Sequence, residues 1–231
     1  MCIRDRISSA QVSLTEFSPG DDILSVDDVD GAGVIDVDFD DTTGVLSLTG
    51  DATAAEYEVV LGNVLYQNTS DVPTDGIRDF EIEITTAGDE TFSATRPLQV
   101  VATNDAPAVE AAVELLDFPV GSLPLVIDDQ LVVSDVDSET LSSAVVSIVS
   151  GFDVDNDTLD FVSVLGIVGT FDPTTGGLTL AGEASAEDYQ EVLQSVTFST
   201  DSDEIDSSRT IQFLVDDGTD SGSDEIEINL V

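Results

Sequence analysis

Apolar and polar residues alternate through most of the chain, which is the pattern of strands with one buried face. Phe80, Ile82 and Ile84 alternate with acidic residues, and the same alternation returns in residues 211–215 and 226–230. Period two with acidic outward positions is typical of half-buried antiparallel strands. Several short strands separated by turns predict an all-β sandwich.

One stretch in each half of the chain departs from period two. Residues 53–64 and 185–196 place apolar side chains at i, i+3, i+4 and i+7 after a Thr or Ser that is followed three residues later by an acid. This is the form of a capping box at the start of an amphipathic helix. We predict one or two helical turns across the end of a sheet, with Tyr57 and Tyr189 in the core.

The chain contains an internal repeat. Residues 39–50 recur as 171–182, and between 39–67 and 171–199 fourteen of twenty-nine positions are identical. Self-similarity of this kind indicates tandem copies of one domain. In each copy, Asp-x-Thr-Thr-Gly predicts a hairpin turn whose glycine supplies a positive φ.

The repeat divides the chain into segments. We predict a foreign or truncated leader over residues 1–6, a first copy shortened at its N-terminus over 7–103, a linker over 104–107 and a second copy over 108–231. Ile7 aligns with Leu141, so the opening strands of the second copy have no counterpart in the first. The first copy is therefore expected to be the less stable.

The junction between the copies carries a recognisable motif. Asn104-Asp105-Ala106-Pro107 is followed by Asp135-Val136-Asp137, and the proline fixes its own φ and favours extended geometry before it. The motif resembles the calcium linker of cadherin repeats. It is more similar to bacterial cadherin-like or Ig-like tandem repeats of large secreted or surface adhesins, whose junctions often read V-N-D-A-P. The resemblance implies two tandem Greek-key β-sandwich domains, each with one short helix.

The resemblance also implies a calcium site. Asn and Asp of the linker, the D-x-D pair and one acid of a late-strand loop are its candidate ligands: Asn104, Asp105, Asp135, Asp137, Asp216 and Asp217. Calcium requires six to eight oxygens, which converging segments can supply. Ala102 replaces the first acid of the cadherin linker, and Leu48-Thr49-Gly50-Asp51 stands where L-D-R-E is expected, so we expect one ion instead of three. The alternative for Asp135 and Asp137 is a solvated turn.

Two further features have structural interpretations. Residues 153–157 resemble the start of an EF-hand but lack its sixth-place glycine (Thr158) and twelfth-place glutamate (Val164), so we predict a solvated loop. Arg78 and Arg209 occupy matching places before a strand, which indicates a structural ion pair in each copy; a glycan or partner contact is the alternative.

Composition narrows the function. Asp and Glu number 49 against five Arg, giving a net charge of −44. Such a chain favours cations and a salty medium, and nucleic acid or an anionic membrane is a poor partner. The sequence has no His and no Lys, which excludes a Ser–His pair and a P-loop lysine. A single Cys allows no internal disulfide, and no apolar run reaches membrane length.

These observations predict a non-catalytic, calcium-binding structural module of a secreted or cell-surface adhesin, located outside the cell or at its surface. Calcium at the junction would stiffen an array in which the partners are neighbouring repeats of the same long chain. One alternative is a module that itself binds a glycan or a surface protein. A more remote alternative is a carboxylate-based glycoside hydrolase, although the absence of Trp weakens a sugar-stacking surface.

Overall fold

The computed structural model describes residues 6–27, 34–163 and 166–231. Val164 and most of the predicted leader lie outside these ranges, while Arg6 is the first residue of a strand. Two compact units divide the chain between Thr103 and Asn104. They are called unit 1 (Met1–Thr103) and unit 2 (Asn104–Val231) and are described separately.

Unit 1 contains seven strands and one helix within its described residues. They are β1 (Arg6–Leu14), β2 (Asp22–Val26), β3 (Asp36–Asp40), β4 (Val45–Thr53), α1 (Ala54–Gly62), β5 (Val64–Asn68), β6 (Gly76–Thr86) and β7 (Thr91–Val100). A five-stranded sheet has the order β3-β4-β1-β6-β7, and β2 pairs with β5 in a second sheet. All of these pairings are antiparallel.

Unit 2 repeats this arrangement and adds strands before it. Its elements are β8 (Ala108–Glu110), β9 (Leu115–Phe118), β10 (Leu125–Val126), β11 (Val132–Ser134), β12 (Leu141–Ser150), β13 (Asp157–Asp160), β14 (Val168–Asp172), β15 (Gly177–Ala184), α2 (Ala186–Gln194), β16 (Thr197–Thr200), β17 (Ser207–Asp216) and β18 (Ser221–Leu230). The sheets have the orders β14-β15-β12-β17-β18-β9, β10-β16-β13 and β11-β8. Strand β9 pairs with β18 in parallel.

The sequence repeat is thus a structural repeat, in which β1 to β7 correspond to β12 to β18 with the same sheet order. The predicted all-β fold, with two sandwich copies and one short helix in each, is confirmed. The helix stands in each copy between the fourth and fifth shared strands, where the pattern changes from period two to period 3.6.

The predicted hairpin turns are present. Gly44 and Gly176 follow Asp-x-Thr-Thr with φ of 71° and 73°, the left-handed region that glycine adopts without strain. The hydroxyl and backbone N–H of Thr42 donate to Asp40 Oδ1 at 2.6 and 2.9 Å. These hydrogen bonds lower the pKa of Asp40 to about 2.

Both helices begin with the predicted capping box. In α2 the Ser185 hydroxyl accepts from the backbone N–H of Asp188, whose carboxylate accepts from the backbone N–H of Ser185. Tyr57 and Tyr189 are fully buried, and the Tyr189 hydroxyl donates to the Gly182 carbonyl at 2.6 Å. Burial, with the negative charge of Glu183, raises the pKa of Tyr189 to about 12. The prediction that the tyrosines are core residues is confirmed.

The side chains of the two cores differ in how deeply they are buried. The inward residues of β17 and β18 have no exposed surface: Ile211, Phe213, Val215, Ile226, Ile228 and Leu230. The corresponding Phe80, Ile82 and Ile84 on β6 are only half-buried. In unit 2 the segment before β12, which includes β9, brings Phe118, Ile127 and Leu131 into the core. No strand among the described residues of unit 1 does the same.

We therefore expect the two units to differ in stability. Residues 104–231 expressed alone should unfold cooperatively and at a higher temperature than residues 7–103, because buried apolar area is the main stabilising term. Differential scanning calorimetry of the two fragments measures this directly. A cooperative transition of 7–103 at or above the temperature of 104–231 would show that the half-covered core is sufficient.

Candidate calcium site

Three segments of unit 2 meet at one end of its sandwich. Strand β8 pairs with β11 so that Ala108 faces Ser134, which brings the linker beside the loop that starts at Asp135. A Cβ on Gly222 would clash with the carbonyl oxygen of Pro107, so the linker also lies against the start of β18. The linker, the D-x-D loop and the β17–β18 turn therefore share one end of the fold.

Asn104 joins the linker to the β17–β18 turn. Its side-chain amide donates to Asp217 Oδ2 at 2.9 Å and to Asp220 Oδ2 at 3.2 Å. The other oxygen of Asp217 accepts from the backbone N–H groups of Thr219 and Asp220. The pKa of Asp217 is lowered, chiefly by the hydrogen bond from the Asp220 backbone, so this carboxylate is charged at neutral pH.

The D-x-D loop is held to the same linker. The backbone N–H of Asp105 donates to Asp137 Oδ2 at 3.0 Å. Asp135 Oδ1 accepts from the backbone N–H groups of Asp137 and Ser138, at 3.1 and 2.8 Å. The loop is thus an ordered turn in which each aspartate uses one oxygen to fix the backbone.

The second carboxylate oxygens of Asp135 and Asp137 accept no hydrogen bond within the described residues. Asp135 Oδ2 and Asp137 Oδ1 are buried and have no hydrogen-bond partner within the described part of the chain. A buried, unpaired carboxylate oxygen is destabilising unless a donor or a cation satisfies it. Oxygen ligands of this type suit calcium, so the residues present fit such an ion.

Asp216, also a predicted ligand, makes its hydrogen bonds to residues outside the linker and the D-x-D loop. Its Oδ1 accepts from the Ser142 hydroxyl at 2.9 Å and from the Gly218 N–H at 2.9 Å, so it fixes the start of the turn. Sequence reasoning missed Asp220, which shares the Asn104 amide with Asp217. The sequence Val-Asp-Asp-Gly-Thr-Asp over residues 215–220 could have indicated it. Because Asp216 pairs with Ser221, residues 217–220 form the turn, and Asp220 lies in the same turn as Asp217.

The carboxylates of this end do not form a complete metal site by themselves. Across residues 6–27, 34–163 and 166–231, no group of three or more His, Cys, Asp or Glu side chains is placed to hold a metal ion. An ion here would also need amide oxygens, backbone carbonyls or water, all of which calcium accepts. Asn104, whose side chain contacts Asp217 and Asp220, is a candidate amide ligand.

The loop resembling an EF-hand is not a solvated loop throughout, and for Asp157 that prediction is wrong. Asp157 is 3% exposed, and its Oδ2 accepts from Arg209 Nε at 2.6 Å and from the Asp153 N–H at 2.8 Å. Its other oxygen, like Nη2 of Arg209, is buried without a partner in the described structure. Asp155 is exposed, so the solvent-facing part of the loop is its middle.

Each unit contains the predicted structural ion pair, which confirms the interpretation of Arg78 and Arg209. Arg78 Nε lies 3.5 Å from Asp22 Oδ2, and both side chains are buried. Burial acts to raise the pKa of Asp22, but hydrogen bonds from Tyr66, Ser18 and Asn68 and the charge of Arg78 outweigh it, so the pKa is lowered. In contrast, Asp51 pairs with Arg6 in an exposed contact.

Comparison with known proteins gives a sequence match over part of the chain and several matches to solved structures. No family model matches the chain. It is 36% identical over 108 residues to halomucin of Haloquadratum walsbyi, a match that covers 45% of this chain and 1% of halomucin. The chain therefore spans about 1% of the length of this curated relative.

Several solved structures also match the chain at low sequence identity. The C-terminal domain of the Streptococcus agalactiae AgI/II polypeptide BspA gives a TM-score of 0.28 at 10% identity, covering 96% of this chain and 84% of that one. Protocadherin gammaB7 EC3-6 gives 0.32 at 12% identity, covering 95% and 41%. The fibronectin(III)-like modules of Clostridium thermocellum CbhA give 0.26 at 14% identity, covering 95% and 93%.

Neither helix of the described residues is long and apolar enough to cross a membrane.

Proposed function

We propose that this chain is a non-catalytic, calcium-binding structural module of a secreted or cell-surface adhesin. The observation that carries the proposal is the pair of buried carboxylate oxygens, Asp135 Oδ2 and Asp137 Oδ1, without a hydrogen-bond partner in the described structure. They lie on the loop that the linker contacts through Asp105. The similarity to halomucin over part of the chain supports a place outside the cell or at its surface.

The ligands of the proposed ion come from three segments of unit 2. Asp135 and Asp137 would offer their free oxygens, Asn104 and Asp105 the oxygens of the linker, and Asp217 a carboxylate of the turn. Bound calcium supplies the positive charge that offsets the repulsion among these carboxylates. Asp216 is better suited to holding the turn, because its Oδ1 already accepts two hydrogen bonds.

The proposed role is mechanical. The linker residues Asn104 and Asp105 are hydrogen-bonded to two separate loops of unit 2. An ion that ties the same residues more tightly would reduce the freedom of the segment that leads from one unit to the next. We propose neighbouring repeats of the same long chain as the partners, with calcium stiffening the array.

The aromatic residues favour a spacer over a binding module. Phe92 is 61% exposed, and it is the one aromatic among the exposed large hydrophobic residues of the described chain. A glycan- or protein-binding face would be favoured by a cluster of exposed aromatic side chains. For this reason the glycan- or protein-binding alternative is not the function that we propose.

Calcium should stabilise unit 2 through Asp135 and Asp137. At 100 times its dissociation constant, an ion that binds only the native state adds about 2.7 kcal/mol to the free energy of unfolding. The double substitution Asp135→Asn and Asp137→Asn should remove most of this gain. The calcium-free melting temperature should stay unchanged or rise, because like charges are relieved. Calorimetric melting of the full chain in EDTA and in millimolar calcium measures both.

A matched control is available in the same unit. Asp201 and Asp203 have the same spacing, are exposed, and lie at the opposite end of β17 from the turn. Asp201→Asn with Asp203→Asn should keep the full calcium gain. X-ray scattering of the wild type should report stiffening as a calcium-dependent change in overall length. Equal gains for the wild type and the Asp135/Asp137 variant would place the ligands elsewhere.

A further inference from the structure

The buried ion pair of unit 2 has one unpaired atom on each partner. Asp157 Oδ2 accepts from Arg209 Nε at 2.6 Å and from the Asp153 N–H at 2.8 Å. Asp157 Oδ1 and Arg209 Nη2 are buried and have no hydrogen-bond partner within the described residues. Burying a polar atom without a partner costs free energy. The ion pair therefore needs a further group to complete its hydrogen bonds.

The two unpaired atoms face the same neighbourhood. Nε and Nη2 lie on one edge of a guanidinium group, the edge that contacts a carboxylate in bidentate pairs. Because Nε of Arg209 already contacts Asp157 Oδ2, Nη2 points to the same side as Oδ1. The Asp157 side chain has no exposed surface, and that of Arg209 is 3% exposed. A single small molecule at this place can contact both atoms out of reach of bulk solvent.

The structural repeat shows which groups satisfy the corresponding carboxylate in unit 1. Asp22 Oδ2 accepts from the Ser18 N–H, four residues before it, as Asp157 Oδ2 accepts from the N–H four residues before it. Asp22 Oδ1 accepts from the Tyr66 hydroxyl at 2.6 Å and from Asn68 Nδ2 at 2.7 Å. The oxygen that matches Asp157 Oδ1 thus has two side-chain donors in unit 1.

Unit 2 has the same strand register but lacks both of these donors. Thr200 lies opposite Asp157 in strands β16 and β13, as Asn68 lies opposite the aspartate of unit 1. Two residues earlier on the same face, Phe198 stands where unit 1 has Tyr66. Phe198 is fully buried and has no hydroxyl, and Thr200, which is 7% exposed, is shorter than asparagine. Less protein therefore stands beside the carboxylate oxygen in unit 2.

We propose that one water molecule is bound inside unit 2 between Asp157 Oδ1 and Arg209 Nη2. It accepts a hydrogen bond from Nη2 and donates one to Oδ1, so each unpaired atom gains a partner. Its place corresponds to that of the Tyr66 hydroxyl in unit 1. Unit 2 thus completes its buried ion pair with a bound water, whereas unit 1 uses its own side chains.

The chemistry of the two atoms selects water over an ion. A cation at this place would stand beside the guanidinium group and an anion beside the carboxylate, so each would meet a like charge. Water is neutral, and it both donates and accepts hydrogen bonds. Buried waters in proteins make about three hydrogen bonds. The Thr200 hydroxyl, on the strand that pairs with Asp157, is the third group that we assign to this water.

A crystal structure of the full chain, grown in EDTA and at a resolution that shows ordered water, tests the proposal directly. We expect one density peak at about 2.7–3.2 Å from both Asp157 Oδ1 and Arg209 Nη2. In the variant Phe198→Tyr, the new hydroxyl should take the place of this peak and donate to Asp157 Oδ1. A wild-type structure in which Nη2 contacts Oδ1 directly, without a peak beside them, would overturn the proposal.

Thermal melting of the full chain in EDTA provides a second, independent measurement. Phe198→Tyr should leave the melting temperature of unit 2 unchanged or raise it, because the hydroxyl replaces a water at a polar place. Phe213→Tyr is the matched control, since it adds the same hydroxyl to an equally buried ring of the apolar core. It should lower the melting temperature by about 4 °C or more. An equal loss for Phe198→Tyr would show that its ring borders no water, and the proposal would fail.

Discussion

Arg209→Leu should lower the free energy of unfolding of unit 2 by about 3–5 kcal/mol, the range for breaking a buried ion pair by removing one partner. The Asp157 carboxyl group, which is 3% exposed, would lose its cationic partner and keep the Asp153 N–H as its hydrogen-bond donor. Thermal and urea unfolding of the full chain, followed by circular dichroism, measures the loss in the transition of unit 2.

Two companion variants separate the ion pair from simple loss of volume. Asp157→Asn added to Arg209→Leu should recover part of the stability, because the uncompensated charge is gone. Arg78→Leu in unit 1 should have a smaller effect, since Asp22 also accepts hydrogen bonds from Tyr66, Asn68 and Ser18. A loss below about 1 kcal/mol for Arg209→Leu would mean that water reaches Asp157 in the variant.

Tyr189→Ala should also lower the stability of unit 2 by about 3–5 kcal/mol, the range for replacing a large buried side chain by alanine. The ring is fully buried against the core, and its hydroxyl donates to the Gly182 carbonyl. Tyr189→Phe keeps the ring and should lose only about 1 kcal/mol, the contribution of one hydrogen bond. Urea unfolding of the three proteins gives both differences.

A surface substitution in the same unit provides the control. Val149 is 50% exposed, so Val149→Ala should change the stability by no more than about 0.5 kcal/mol. If Tyr189→Ala has an effect as small as Val149→Ala, the tyrosine is accessible in solution. It would then become a candidate recognition residue.

Much of the candidate calcium site could be predicted from the sequence. The linker motif and the D-x-D motif gave Asn104, Asp105, Asp135 and Asp137, and the structure joins them in unit 2 through the contact of Asp105 with Asp137. The part that the sequence did not reveal is Asp220, which meets Asn104 across 116 residues. Among 49 acids, composition alone cannot single out one that a hairpin turn brings to the linker.

The sequence by itself determined the features that depend on local pattern. The period-two strands, the capping boxes and the inward tyrosines follow from spacing and from the hydrogen-bonding capacity of neighbouring residues. The repeat predicted that unit 1 has fewer strands than unit 2, as is the case in the residues that the structure describes. These predictions do not depend on contacts between residues that are distant in the sequence.

Only the tertiary structure decided which polar groups are buried and which apolar groups stay exposed. Asp157 and Arg209 are 52 residues apart. The loop over residues 153–157 is acidic in sequence, and its last carboxylate is buried because β13 and β17 bring it to the guanidinium. Likewise, Phe80 and Ile82 have the alternation of core residues but remain half-buried, because burial depends on the strands that cover a face. Periodicity fixes the direction in which a side chain points, whereas its burial depends on which distant segments pack against it.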